Sequence, residues 1–217
     1  MVNEKITGYA ATTAPLDDEL FEIVIDPSGT PINRKITRDD LLDGVTIQQW
    51  FGAEAMTPAI TAGCNAIAQR EIAAANININ YLAFPDGVDS EAQFSFRFPQ
   101  NWNAGTVTAI AHWTTELPSA SAETWQIEFS GTSHGNDEAI ATAFGTVQNL
   151  ADTFLAVDDL HITAATSAMT IGGSPSAGHL VTFKLQRDVS DTDTMAGAVQ
   201  LIGIILEYTI TKTASTG

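Results

Sequence analysis

The sequence predicts a mainly β protein: an eight-stranded antiparallel β-sandwich, jelly-roll-like, preceded by a small N-terminal β-hairpin/helix segment. Three observations predict it. From Asn76 onward apolar residues recur at every second position, as in Phe94, Phe96 and Phe98 set against Ser95 and Arg97. That is the period of a strand with one buried face. Turn signals interrupt these runs at Pro85-Asp86-Gly87, Asn103-Ala104-Gly105, Gly172-Gly173 and Ala177-Gly178, and many short strands parted by such loops close as a sandwich or barrel. Finally, 44% of the 217 residues are hydrophobic, enough for one substantial core and an attached segment.

Taken in order, residues 1–16 are polar, with Thr and Ala, and are expected to be flexible or extended. Residues 17–42, DDELFEIVIDPSGTPINRKITRDDLL, spell a strand, a turn, a second strand and a helical turn. Phe21, Ile23 and Ile25 alternate with Glu22 and Val24. Asp26-Pro27-Ser28-Gly29 is a turn in which Pro presets φ and Gly permits its positive values. The chain returns over Thr30 to Ile36. Thr37 then caps a short helix whose first turn carries Asp39 and Asp40, where negative charge suits the helix dipole. Some two dozen residues bury no core of their own, so this cassette rests on the remaining chain, on a copy of itself or on another protein. Residues 43–57, with Trp50, Phe51 and Met56, read as a connector whose aromatic residues dock on a neighbour or pack within the chain.

Residues 58–75 read as a connecting helix. Pro58 suits its first turn, Thr57 its cap, and Ala59, Ile60, Ala66, Ile67 and Ile72 its apolar stripe. The sandwich then occupies 76–217, with strands near 77–84, 92–98, 106–115, 124–131, 143–150, 159–172, 179–187 and 199–211. The last of these is apolar on both faces through Leu201, Ile202, Ile204, Ile205 and Leu206. Such a strand is central in its sheet or covered by another subunit.

Composition excludes some functions. Nine basic residues against 26 acidic ones give a net charge of −17, the opposite of a nucleic-acid footprint and poorly suited to an anionic membrane. No basic region precedes an apolar stretch at the N-terminus and no run reaches membrane-spanning length. Cys64 alone forms no internal disulfide and reads as a small buried residue. The histidines, at 112, 134, 161 and 179, have no metal-ligand spacing and no cysteine pair beside them. No cofactor motif appears.

Three stretches invite chemistry. Asp188, Asp191 and Asp193 suggest a calcium loop but lack the glycine and terminal glutamate of an EF-hand; a solvated loop is the simpler reading. Ser130-Gly131-Thr132-Ser133-His134 lacks a nucleophile elbow. Among the tryptophans, Trp113 and Trp125 lie in phase with core residues, which leaves Trp102, in the polar Gln-Asn-Trp-Asn loop, as the candidate glycan contact.

The cassette resembles the N-terminal segment of tailed-bacteriophage fibre, appendage and head-decoration proteins. The resemblance rests on Asp18, Glu19, Leu20, Ile23 to Asp26, Ser28, Gly29, Lys35, Ile36, Thr37 and Leu41. Pro58 to Tyr208 is similar to phage-encoded virion domains through PAITAGCNAIAQ, AQFSFRFPQNWNAGTVTAIAHW, LHITAATSAMTIGGSPSAGHLVTFKLQRDVSD and LIGIILEYT. It implies a noncatalytic virion structural protein, head-attached as a decoration or short fibre, assembled in the bacterial host cytoplasm. Residues 1–57 would then be the attachment segment, with Phe21, Ile23, Ile25, Ile36 and Leu41 contacting other virion proteins, capsid or tail, and a homotrimer as the expected assembly. The alternative is a tail-fibre or baseplate appendage whose sandwich binds a host-surface glycan.

Overall fold

The computed structural model describes residues 20–25, 32–37, 43–118, 122–189 and 192–211. It has two compact units, one of residues 1–44 with 211–217 and one of residues 45–210. In the first, β1 (Leu20–Ile25) pairs antiparallel with β2 (Ile32–Thr37), in register from Leu20 opposite Thr37 to Ile25 opposite Ile32. Thr37 is thus the last residue of a strand. The tail predicted as flexible or extended at 1–16, the turn at Asp26–Gly29 and the helical turn with Leu41 lie outside the described residues.

The second unit is a sandwich of two antiparallel sheets, built from eight strands close to those expected: β6 (Ile77–Phe84), β7 (Ser90–Arg97), β8 (Thr108–Thr114), β9 (Thr124–His134), β10 (Gln148–Thr153), β11 (His161–Ile162), β12 (Leu180–Arg187) and β13 (Val199–Ile210). Within this set the first strand pairs with the last, the second with the seventh, the third with the sixth and the fourth with the fifth. This is one long antiparallel ribbon, wrapped so that β13 also meets β8 and β12 also meets β9. The result is jelly-roll connectivity. Three further strands, β3 (Val45–Gly52), β4 (Thr57–Pro58) and β5 (Ala68–Ile72), extend the sheets.

Those three strands correct the reading of residues 43–75. The connector is β3, paired along its length with β13 from Gly52 opposite Gly203 to Val45 opposite Ile210. Among the described residues no connecting helix spans 58–75. Its backbone groups bond to neighbouring strands: Ala59 N and Cys64 N donate to Glu91 O, Asn65 N to Ala83 O, and Glu91 N to Ala62 O. Residues 68–72 then form a hairpin with β6. Strand partners thus supply what i→i−4 bonds would have supplied, and the intended stripe is not a buried face, since Ile60 and Ile67 are exposed.

The strand expected over 159–172 shrinks to Ile162 and its neighbour for a related reason. This segment still follows the edge of β8. However, the hydroxyls of Thr163 and Thr166 accept from Ala111 N and Ala109 N, both at 3.0 Å, in place of carbonyls. The side chains satisfy the edge while the segment itself stays irregular. Among the described residues no helix is long and apolar enough to cross a membrane.

The core lies between the sheets. Phe183 stacks on Phe94 at 5.0 Å and on Phe129 at 5.2 Å, and Trp113 meets Trp125 at 5.1 Å. β13 has strands on both sides, β8 on one and β6 then β3 on the other. Its central place satisfies both edges of the strand, while Ile202 and Ile205 stay partly exposed on the outer face of the sheet. A charged pair is enclosed at the end of the core. Alternation through Val181, Phe183 and Leu185 carries Arg187 inward, fully buried, where its guanidinium meets the Asp193 carboxylate at 2.8 and 2.9 Å. Its remaining N–H groups donate to the carbonyls of Phe84, Gly197 and Met195.

Candidate functional site

Alternation along three adjacent strands of the six-stranded sheet builds its solvent face. β3 contributes Thr46, Gln48 and Trp50; β13 contributes Gly203, Ile205, Glu207 and Thr209; β8 contributes Thr108, Ile110 and His112. Register places them in rows: Gln48, Glu207 and Thr108 in one, Trp50, Ile205 and Ile110 in the next, Gly203 beside His112 in a third.

Trp50 dominates this face at 44% exposure, the one large aromatic residue so exposed among those described. Its indole lies across Gly203: a Cβ there would sit 2.5 Å from Trp50 Cζ2. Glycine is what lets the ring come this close to the β13 backbone. The indole meets the His112 imidazole edge-on, with centroids 5.1 Å apart and planes at 89°. Burial lowers the His112 pKa, so at neutral pH its ring stays uncharged.

Beside this platform is a polar row. Glu207 accepts from Gln48 Nε2 at 2.6 Å and from Thr108 Oγ1 at 2.8 Å, which fixes its carboxylate in the plane of the face. Thr46, Thr106, Thr108, Glu207, Tyr208 and Thr209 line a shallow cavity of about 230 Å³. A flat aromatic surface next to convergent hydroxyl, carboxamide and carboxylate groups offers both stacking and hydrogen bonding to a polyhydroxylated ring.

The residues singled out from sequence fall elsewhere. Trp102 is a correction: it is only 2% exposed and stacks on Phe98 at 3.9 Å, so it is a core residue. A Pro99–Trp102 turn, closed by Trp102 N donating to Pro99 O, folds the polar loop back and carries the ring inward. Phe21, Ile23 and Ile25 lie on β1 and Ile36 on β2, with Phe21 opposite Ile36 and Ile25 opposite Ile32; Leu41 lies outside the described residues. Trp113 and Trp125 are fully buried. Sequence reasoning took Trp50 as a docking aromatic of the connector and not as a glycan contact, although in Val45-Thr46-Ile47-Gln48-Gln49-Trp50 it keeps step with Thr46 and Gln48, the solvent set.

The other reactive groups have structural partners. Asp193 is engaged by Arg187 and by Met195 N, so its carboxylate is committed to the core. Among the described residues no group of three His, Cys, Asp or Glu is placed to hold a metal. His161 stacks on Trp113 at 4.2 Å, and His179 Nδ1 lies 3.2 Å from Ser133 Oγ, a buried hydroxyl. Cys64 is buried and its thiol is pushed up to about 12, so it carries no thiolate at neutral pH.

No protein-family model and no curated protein matches the chain. Solved β-sandwiches are similar in architecture. A carbohydrate-binding module specific for non-crystalline cellulose covers 73% of this chain and 86% of its own at 7% identity, TM-score 0.39. A family 11 carbohydrate-binding module from Clostridium thermocellum covers 92% and 100% at 6% identity, TM-score 0.34. A cycloisomaltooligosaccharide glucanotransferase from Paenibacillus sp. covers 69% of this chain at 12% identity, TM-score 0.36, and the match spans only 17% of that enzyme. The likeness is one of sandwich architecture and does not extend to a site.

Proposed function

We propose that the chain is a noncatalytic structural protein of a tailed-phage particle whose β-sandwich binds a glycan through the face around Trp50. The observation that carries the binding reading is the exposed indole packed against Gly203, beside a polar row already oriented by Glu207. A ring so placed loses little freedom on stacking. Replacing Trp50 with Ala is expected to weaken binding on an array of bacterial-surface and neutral glycans about five- to tenfold, since aromatic contacts are worth about 1–1.4 kcal/mol beyond their area. Trp50→Tyr should retain part of it. An array on which the wild-type protein and Trp50→Ala give the same profile would remove the site.

The virion role is supported by the resemblance of residues 17–42, which lie in a compact unit (1–44 with 211–217) other than that of the sandwich (45–210). In this reading the hairpin β1–β2 carries the attachment to other virion proteins. The glycan-binding face favours an appendage that touches the host over a purely decorative head protein. Deleting residues 1–42 is expected to leave a cooperatively folded sandwich that no longer enters particles. Normal incorporation of the truncated chain would show that attachment lies elsewhere.

A further inference from the structure

Three buried polar atoms without a hydrogen-bonding partner gather on the face that carries Trp50: Arg70 Nη2, Thr114 Oγ1 and His112 Nδ1. Alternation along β8 puts His112 and Thr114 on the side opposite Ala111 and Trp113, which are core. Register supplies the rest. Thr114 pairs with Gln200, and His112 pairs with Gly203, under the Trp50 indole. Arg70 reaches across from β5, its Nε donating to Gln200 Oε1 at 2.6 Å.

The segment between β10 and β11 closes over this end of the face. Asp158 N donates to Thr115 O, and Asp158 Oδ1 takes Arg70 Nη1 at 2.6 Å. Thr114 is left 3% exposed with its hydroxyl unpaired. Leaving one such group unsatisfied costs stability, and three on one face, two from β8 and one reaching over from β5, call for an occupant. The fastening is at the rim, since the Asp158 side chain is 42% exposed while that of Arg70 is 13% exposed.

Charge selects the occupant. Arg70 is already matched by Asp158, Glu207 lies on the same face, and the chain carries −17 overall, so an anionic ligand is repelled. The unspent groups are two N–H donors, a hydroxyl and an imidazole nitrogen, the complement of a neutral, hydroxyl-rich ring. We propose that Arg70, Thr114 and His112 form a closable subsite for a neutral sugar, continuing the Trp50 face, with Asp158 as its latch. The proposal rests on the glycan-binding reading.

The test uses the full chain and a fixed panel: methyl glycosides of glucose, galactose, mannose and N-acetylglucosamine, their disaccharides, and glucuronate as the anionic comparator, titrated by NMR. Thr114→Val keeps the shape and removes the hydroxyl. It is expected to weaken neutral-sugar binding about tenfold while melting at or above the wild-type temperature, as removal of an unpaired buried hydroxyl should. Asp158→Asn, which frees the latch but keeps a residue at ease at positive φ (here +64°), is expected to tighten binding several-fold by raising the open population. Unchanged affinity in Thr114→Val, or a lowered melting temperature showing that the hydroxyl serves the fold, would overturn the subsite. Glucuronate binding more tightly than the neutral sugars would do the same. If Thr114→Val loses affinity while Trp50→Ala keeps it, the Trp50 face falls and the subsite stands. If neither the wild-type protein nor Asp158→Asn binds any member, both fall.

Discussion

Replacing Asp193 with Ala is expected to destabilise the sandwich by about 3–5 kcal/mol, the cost of leaving a buried charge without its partner. Arg187 is fully enclosed and Asp193 nearly so. Each nitrogen of the guanidinium donates within the protein: two bonds to Asp193, and one each to the carbonyls of Phe84, Gly197 and Met195. The carboxylate in turn accepts from Gln126 N at 3.3 Å and Met195 N at 3.0 Å. The pair therefore ties the end of β12 to the approach to β13 and to β9. With the carboxylate gone, the enclosed guanidinium keeps only Asp86, 3.9 Å away and half exposed, as a counter-charge. Urea melts of the single variants and of Arg187→Met/Asp193→Leu measure the effect. The double variant is expected to lose less than either single, because an apolar pair leaves nothing uncompensated. A loss below about 1 kcal/mol in Asp193→Ala, the range of exposed pairs, would mean that the network is solvated.

Gly145→Ala should cost about 2–3 kcal/mol, at the upper end for overpacking, because its methyl would meet backbone and not a movable side chain. A Cβ at this position lies 2.0 Å from Thr170 O and 2.5 Å from Gly172 N. The two segments cannot separate freely. Gly145 N and Gly172 N both donate to Gly131 O at 2.9 Å, and Thr146 N donates to Thr170 O at 3.1 Å. Gly87→Ala is the control. Its φ is +72° with nothing within 4 Å, so it bears only the backbone term of roughly 1–2 kcal/mol. Thermal melts separate the two, and hydrogen exchange should show lost protection at Thr146 and Gly172 in Gly145→Ala alone. Equal losses in both variants would place the effect in the backbone conformation and not in the close approach.

Much of the fold was legible because a strand's signal is local. Phe94, Phe96 and Phe98, or Val181, Phe183 and Leu185, announce a buried face within a few residues, and the turns between runs carry their own glycines and prolines. Ile77 to Phe84 was expected to the residue. The same locality explains the failures. Residues 58–75 satisfy a helical pattern by themselves. They become strand and loop because β6, the next strand along the chain, and β7 beyond it offer carbonyls and amides at the right spacing. Arg187 keeps step with core residues, yet no window of sequence says that Asp193 will fold back to meet it.

The site shows the same division. Periodicity alone sorts Trp50 with Thr46 and Gln48, but only its pairing with β13 brings it over Gly203 and against His112, 62 residues further on in the chain's numbering (112 − 50). Trp102 sits among polar neighbours in sequence and is buried by a turn that closes behind it. From Ile77 onward, the run of strands, most of their turns and the apolar side of each strand follow from φ/ψ preferences and a two-residue period, and are readable before folding. Tertiary structure alone decided which aromatic ring faces solvent, which charge enters the core, and which unpaired donors share one face, because each depends on groups that meet only when the ribbon wraps.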